Sequence, residues 1–171
     1  MPTMTLTVTG VGVADAAWLR SAGSLTHVAT LGSDDGTTAS GSSYSLCSIN
    51  GKRINDIVMS NPTVAEGDMD ATNPITSVRF LATGRCPARG SGGSDVDFDF
   101  DTPSGYASDP ETLNFFNNTN YEVEYGTTRT AKPDDSAWEY SDIENLQFNI
   151  EKNGSAMVNL AYFAAEVVYK E

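Results

Sequence analysis

The clearest pattern in the chain lies in its last third. From Leu146 to Lys152, apolar Leu146, Phe148 and Ile150 alternate with polar Gln147, Asn149 and Glu151. Side chains on a β-strand point to opposite faces with a period of two, so this run is predicted to be a strand with one face in a core. Asn153-Gly154 interrupts it, and a second extended run continues from Met157 to Tyr169. Asn-Gly favours the positive backbone angles of a two-residue hairpin turn. The two runs are therefore expected to pair as a long β-hairpin.

Shorter runs of the same type recur upstream. Strands are predicted at Thr5–Thr9, Leu25–Leu31, Ser43–Ile49, Arg53–Met59, Ile75–Thr83, Asp95–Asp101 and Tyr121–Thr127. With the two C-terminal runs this makes about nine strands separated by Gly, Ser, Asn, Asp and Pro, the sequence pattern of a sandwich or barrel. Asn50-Gly51 is expected to join two of them as a second tight hairpin. Helical signals are few. Asp15–Ala22 could form one or two turns, and Ser141-Asp142-Ile143-Glu144 fits a capping box ahead of a single turn. The fold class expected is all-β, an antiparallel β-sandwich with minimal helix.

No compositional break divides the chain. Residues 21–171 read as one β-sandwich domain, preceded by an N-terminal arm at residues 1–20. Segments 33–43 and 87–94 are Gly- and Ser-rich loops, the second being the loosest. At 171 residues the chain can bury a sizeable core without staples.

Charge narrows the function. Ten Lys and Arg stand against 23 Asp and Glu, for a formal net charge of -13. Such a surface repels nucleic-acid backbones and anionic lipid, so no direct nucleic-acid or membrane partner is expected. The N-terminus lacks the basic start and apolar core of a signal peptide, and no apolar run approaches the ~18–20 residues of a membrane span. Two cysteines, Cys47 and Cys86, show no metal-ligand spacing. They are read as free thiols, with a single bridge open if their strands are neighbours.

Candidate chemistry is sparse. Asp95, Asp97, Asp99 and Asp101 would share one face of a strand, with Val96, Phe98 and Phe100 on the other. Same-face neighbours on a strand lie ~7 Å apart. A calcium ion wants six to eight oxygens within ~2.6 Å, so this row is only a weak cation candidate. A solvated face that discourages edge pairing explains it more simply. Ser33-Asp34-Asp35-Gly36 reads as a turn, since it lacks the EF-hand spacing. His27 is the only histidine, and no nucleophile motif accompanies it. Trp18, Trp138, Tyr106, Tyr121, Tyr125 and Tyr140 could form a sugar-stacking platform, although core packing is the simpler role for Trp138. No enzymatic activity and no cofactor are expected. Asn117-Asn118-Thr119 and Asn153-Gly154-Ser155 match the glycosylation pattern but carry no weight without a signal peptide.

One resemblance stands out. The residues Ala137-Trp138, Asp142-Ile143, Leu146-Gln147-Phe148-Asn149-Ile150-Glu151 and Glu166-Val167-Val168-Tyr169 resemble a pattern of structural virion proteins of tailed bacteriophages and prophages. There the segment reads A-W-T-x-x-D-I-x-x-L-Q-F-G-I-E, followed by a last strand V-x-V-E-V-x-Y. Asn149 stands where that group has Gly, Tyr140 adds bulk, and the first ~20 residues have no counterpart. The resemblance implies a jelly-roll sandwich and a place in a virus particle. The leading expectation is a head decoration (cement) protein, made in the host cytoplasm and bound to the major capsid protein on the outer capsid surface as a homo-oligomer, with a trimer favoured. A carbohydrate-binding or adhesion module and a tail-associated structural protein are the alternatives.

Overall fold

The computed structural model describes residues 1–20, 26, 31, 44–62, 72–87, 94–101, 110–116 and 119–170, with the side chain of residue 101 left out. The strands are β1 (Thr3–Val11), β2 (Leu19–Arg20), β3 (Ser45–Cys47), β4 (Arg53–Met59), β5 (Ile75–Arg85), β6 (Ser94–Asp101), β7 (Glu111–Phe115), β8 (Glu122–Tyr125), β9 (Gln147–Asn153) and β10 (Val158–Tyr169). A single turn of helix, α1 (Tyr140–Glu144), precedes β9.

Strand pairing is antiparallel throughout and defines two sheets. In sheet I the order is β3-β10-β5-β8, and in sheet II it is β4-β9-β6-β7. From β3 to β10 every connection crosses between the sheets except β6 to β7, which stay neighbours in sheet II. That order is the eight-stranded jelly roll. The all-β expectation therefore holds, with ten strands among the described residues where about nine were expected.

The core lies between the sheets. Phe80 and Phe163 come from sheet I and Phe98, Phe100 and Phe148 from sheet II, all essentially without solvent exposure. Phe80 stacks on Phe98 with centroids 5.2 Å apart, and Phe148 meets Phe163 edge-on at 5.0 Å. Rings of this size bring the largest single burials in a core.

The expected terminal hairpin does not form. β9 pairs with β4 and β6, whereas β10 pairs with β1, β3 and β5, so the two runs lie in opposite sheets. Asn50-Gly51 likewise leads from β3 in sheet I to β4 in sheet II. At both places glycine alone has positive φ, 73° at Gly51 and 74° at Gly154. The two-residue turns that match hairpin twist need positive φ at the first central residue (type II′) or at both (type I′), and other turns splay the strands. Here the splay carries the chain from one sheet to the other.

Residues 1–20 are not an arm. Thr3–Thr7 pair with β10 in sheet I, and Val8, Gly10 and Val11 pair with β4 in sheet II, so one strand laces the two sheets along a shared edge. Leu6, Val8 and Trp18 are buried, and the Trp18 indole N–H donates to the Lys52 carbonyl at 3.0 Å. The short helix expected at Asp15–Ala22 is replaced, within its described part, by a turn and by β2, which pairs with β3. The predicted strand at Leu25–Leu31 falls almost wholly outside the described residues.

Candidate functional site

Sheet II presents the aspartate row. Val96, Phe98 and Phe100 point into the core, while Asp95, Asp97 and Asp99 are half-exposed on the outer face, as the alternation requires. The strand is not an edge, however. β6 sits between β7 and β9, so the expected role of the row in blocking edge pairing does not apply.

Neighbouring strands meet the row with polar partners. Asp97 stands opposite Thr112 on β7 and Glu151 on β9. The Thr112 hydroxyl donates to Asp97 Oδ1 at 2.5 Å, and Asn153 Nδ2 donates to Asp97 Oδ2 at 3.0 Å. Glu151 accepts from Arg53 Nε at 2.6 Å. Asp99 stands opposite Asn149, whose side-chain oxygen accepts the backbone N–H of Asp56 at 3.0 Å. Among the described residues, no three acidic, histidine or cysteine side chains converge to hold a metal ion. Asp97 pairs sideways along the sheet, with Thr112 and Asn153, instead of bending round a common point.

Sheet I presents a different outer face. Leu81, Tyr162 and Ala164 form an apolar cluster separate from the main core, with Val123 packed against it. Tyr125 is half exposed beside it, and the Arg79 guanidinium lies 4.4 Å from the centre of its ring. Arg79 also pairs with Glu166. Further along the same strands Thr83 stands opposite Tyr162, and Arg85 opposite Asn159. Arg85 lies 4.9 Å from the centre of the Tyr121 ring and donates to the Thr119 carbonyl at 3.1 Å. Burial pushes the Tyr121 hydroxyl pKa up, and Arg85 beside it opposes that shift.

Of the described rings expected to form a sugar platform, Tyr121 and Tyr125 lie on the outer face of sheet I, beside Arg85 and Arg79 respectively. Trp18 and Trp138 are buried, and Tyr140 packs against the core. Tyr106, His27 and Ser33 to Gly36 lie outside the described residues. Sequence reasoning missed Tyr162, Asn159, Thr83 and Arg85 because they sit in runs that read as plain strand. Only their spacing on the outward positions of β5 and β10 could have singled them out.

The stretch of the resemblance from Trp138 to Leu146 forms one packed unit. The Trp138 indole N–H donates to the Arg129 carbonyl at 3.1 Å, and its ring packs against Phe100. Asp142 accepts the Glu139 backbone N–H at 2.8 Å and pairs with Lys132 at 3.0 Å. The capping residue is thus Glu139 and its partner Asp142, not Ser141 and Glu144 as expected; the helix starts earlier, which leaves Asp142 at its third position. Ile143 and Leu146 are buried beneath this turn. Together these residues carry the chain from β8 to β9.

A buried lysine secures the next crossing. Lys152 has no solvent exposure, and its ammonium donates to the carbonyls of Asp95 at 3.4 Å, of Gly154 at 3.1 Å, and of Asn153. Burial lowers its pKa, with Asp95 opposing. Cys47 is buried nearby with its thiol pKa pushed up, and both cysteines are free, which settles the alternative of a bridge.

No family model and no curated protein sequence matches the chain. Among solved structures, the CBM22-1 xylan-binding domain of Paenibacillus barcinonensis Xyn10C aligns over 98% of this chain and 95% of that one, with a TM-score of 0.46 and 11% identity. A likeness at that level carries no function across.

Proposed function

We propose that this chain is a structural protein of a tailed-phage virion, a decoration protein that binds the outer surface of the assembled capsid and reinforces it. The observation that supports the reading is that residues which carry the resemblance to virion proteins build one part of a jelly roll, the fold that the resemblance implies: Trp138, Asp142, Ile143 and Leu146 form the β8-to-β9 crossing, and Phe148 and Ile150 the core face of β9. The mechanism is passive. A rigid sandwich, laced along one edge by β1, adds buried interface across neighbouring subunits of the major capsid protein. Stable interfaces bury ~1,200–2,000 Å² in total. A closed trimer seated on local three-fold points of the shell is the assembly this reading favours.

The experiment is reconstitution. Capsids from a phage lacking the gene are mixed with purified protein, pelleted, and heated. Co-sedimentation at saturable stoichiometry and a raised temperature of DNA release are expected. Protein that stays in the supernatant refutes the reading. A carbohydrate-binding or adhesion module is the second reading, supported by the tyrosines on the outer face of sheet I.

A further inference from the structure

Four buried polar atoms on or beside the outer face of sheet I have no hydrogen-bond partner: Thr83 Oγ1, Arg85 Nε, the Tyr121 hydroxyl and Asn159 Oδ1. They are neighbours. Asn159 faces Arg85 across β5 and β10, and Thr83 lies two residues before Arg85 on the same face. The Tyr121 ring stacks on Arg85. Its hydroxyl lies beside the side chains of Asn159 and Arg85. Thr83 is 1% exposed and Asn159 3% exposed. Elsewhere among the described residues such atoms include those of Asp95 and Glu111, away from this face.

Buried polar groups in folded proteins are almost always paired, so a group of unpaired ones in one place points to something that pairs with them. The chemistry of the set is mixed. Arg85 Nε only donates, Asn159 Oδ1 only accepts, and the two hydroxyls do both. An anion would meet the acceptor oxygen of Asn159, and a metal cation would meet the Arg85 guanidinium. A sugar hydroxyl both donates and accepts, and the C–H face of a sugar ring lies well on an aromatic ring.

We propose that Thr83, Arg85, Tyr121 and Asn159 form a binding site for a neutral sugar residue of a glycan, with Tyr125 at its rim. The inference rests on the carbohydrate-binding reading and names the site and the ligand class; it is independent of attachment to a capsid. Arg85 and Tyr121 are the more exposed members.

The test is saturation-transfer NMR of the full chain against a panel of neutral mono- and oligosaccharides, repeated with Thr83→Val and Tyr121→Phe. Each substitution removes one hydroxyl and keeps the shape. At least one sugar is expected to bind, about tenfold more weakly to each variant. The melting temperature of Thr83→Val is expected to hold or rise, because a buried unpaired hydroxyl has gone. Binding that both variants retain in full places the sugar elsewhere and overturns this site while leaving carbohydrate binding standing. A panel without any binder overturns both. A high-resolution crystal structure grown with the sugars, in which ordered water alone ties the four atoms, overturns the site.

Discussion

Phe98 of β6 lies flat on Phe163 of β10, with ring centroids 5.2 Å apart and planes 14° from parallel. One ring comes from each sheet, so this contact reports directly on whether the sheets are stacked. Phe163→Ala is expected to cost about 3–5 kcal/mol, the range for removing a buried aromatic ring. Urea denaturation followed by tryptophan fluorescence measures it. A loss below about 1 kcal/mol would mean that the sheets do not meet at this pair.

Lys152 sets a pH dependence. Its pKa is lowered in the folded state by burial, so between that value and the unfolded pKa of about 10.4 the unfolded chain binds more protons than the folded one. The contribution of Lys152 to stability therefore rises with pH across this window and is least favourable below it. Lys152→Met is expected to be destabilised near neutral pH by about 3 kcal/mol, because the carbonyls of Asp95, Asn153 and Gly154 lose their donor. The gap between wild type and variant is expected to widen toward alkaline pH. A gap that narrows contradicts the assignment. Comparing the two proteins cancels the opposing titration of Tyr121, whose pKa is raised by burial; Cys47, whose thiol feels the Lys152 charge directly, is replaced by alanine in both.

Removing residues 1–20 is expected to destroy the fold. Without β1 the chain loses Leu6, Val8 and Trp18 from the core and leaves β4 with an open edge. Circular dichroism and gel filtration of the truncated chain should show aggregated or unfolded protein. A soluble, cooperatively melting fragment would show that the N-terminal segment is a dispensable extension after all.

Asp97 and Glu151 stand directly opposite each other on adjacent strands, an arrangement in which like charges repel. Asp97→Asn removes this repulsion and keeps an acceptor for the Thr112 hydroxyl but sets an amide NH2 against Asn153 Nδ2, so the net gain at low salt is expected to be at most roughly 0.5 kcal/mol. Screening should shrink the gain as salt is added. A gain that does not change with salt assigns the effect to something other than repulsion.

Much of this architecture is readable from the residues. The alternation around Phe148 and around Phe98 finds the inward faces of β9 and β6, because a half-buried strand leaves a period of two in the sequence. The pairing of those strands is not readable. Asn153-Gly154 carries the residues of a hairpin turn, yet β9 and β10 each have better partners in their own sheets, and tertiary pairing overrides the local preference. β7 is too short for its Leu113 and Phe115 to register as a pattern. The first twenty residues read as an arm because their counterpart is missing from the resemblance, not because their pattern is unlike a strand. Tyr121 and Tyr125 could be named as possible sugar platforms. Thr83 and Asn159 could not, since nothing in sequence distinguishes a buried hydroxyl or amide with a partner from one without.

The shell-bound role is tested most directly by cryo-electron microscopy of purified virions. The account expects density of a two-sheet sandwich on the outer face of the capsid, repeated at local three-fold positions and missing when the gene is deleted. The same sandwich located in the tail, or particles that carry none of it, would contradict the account.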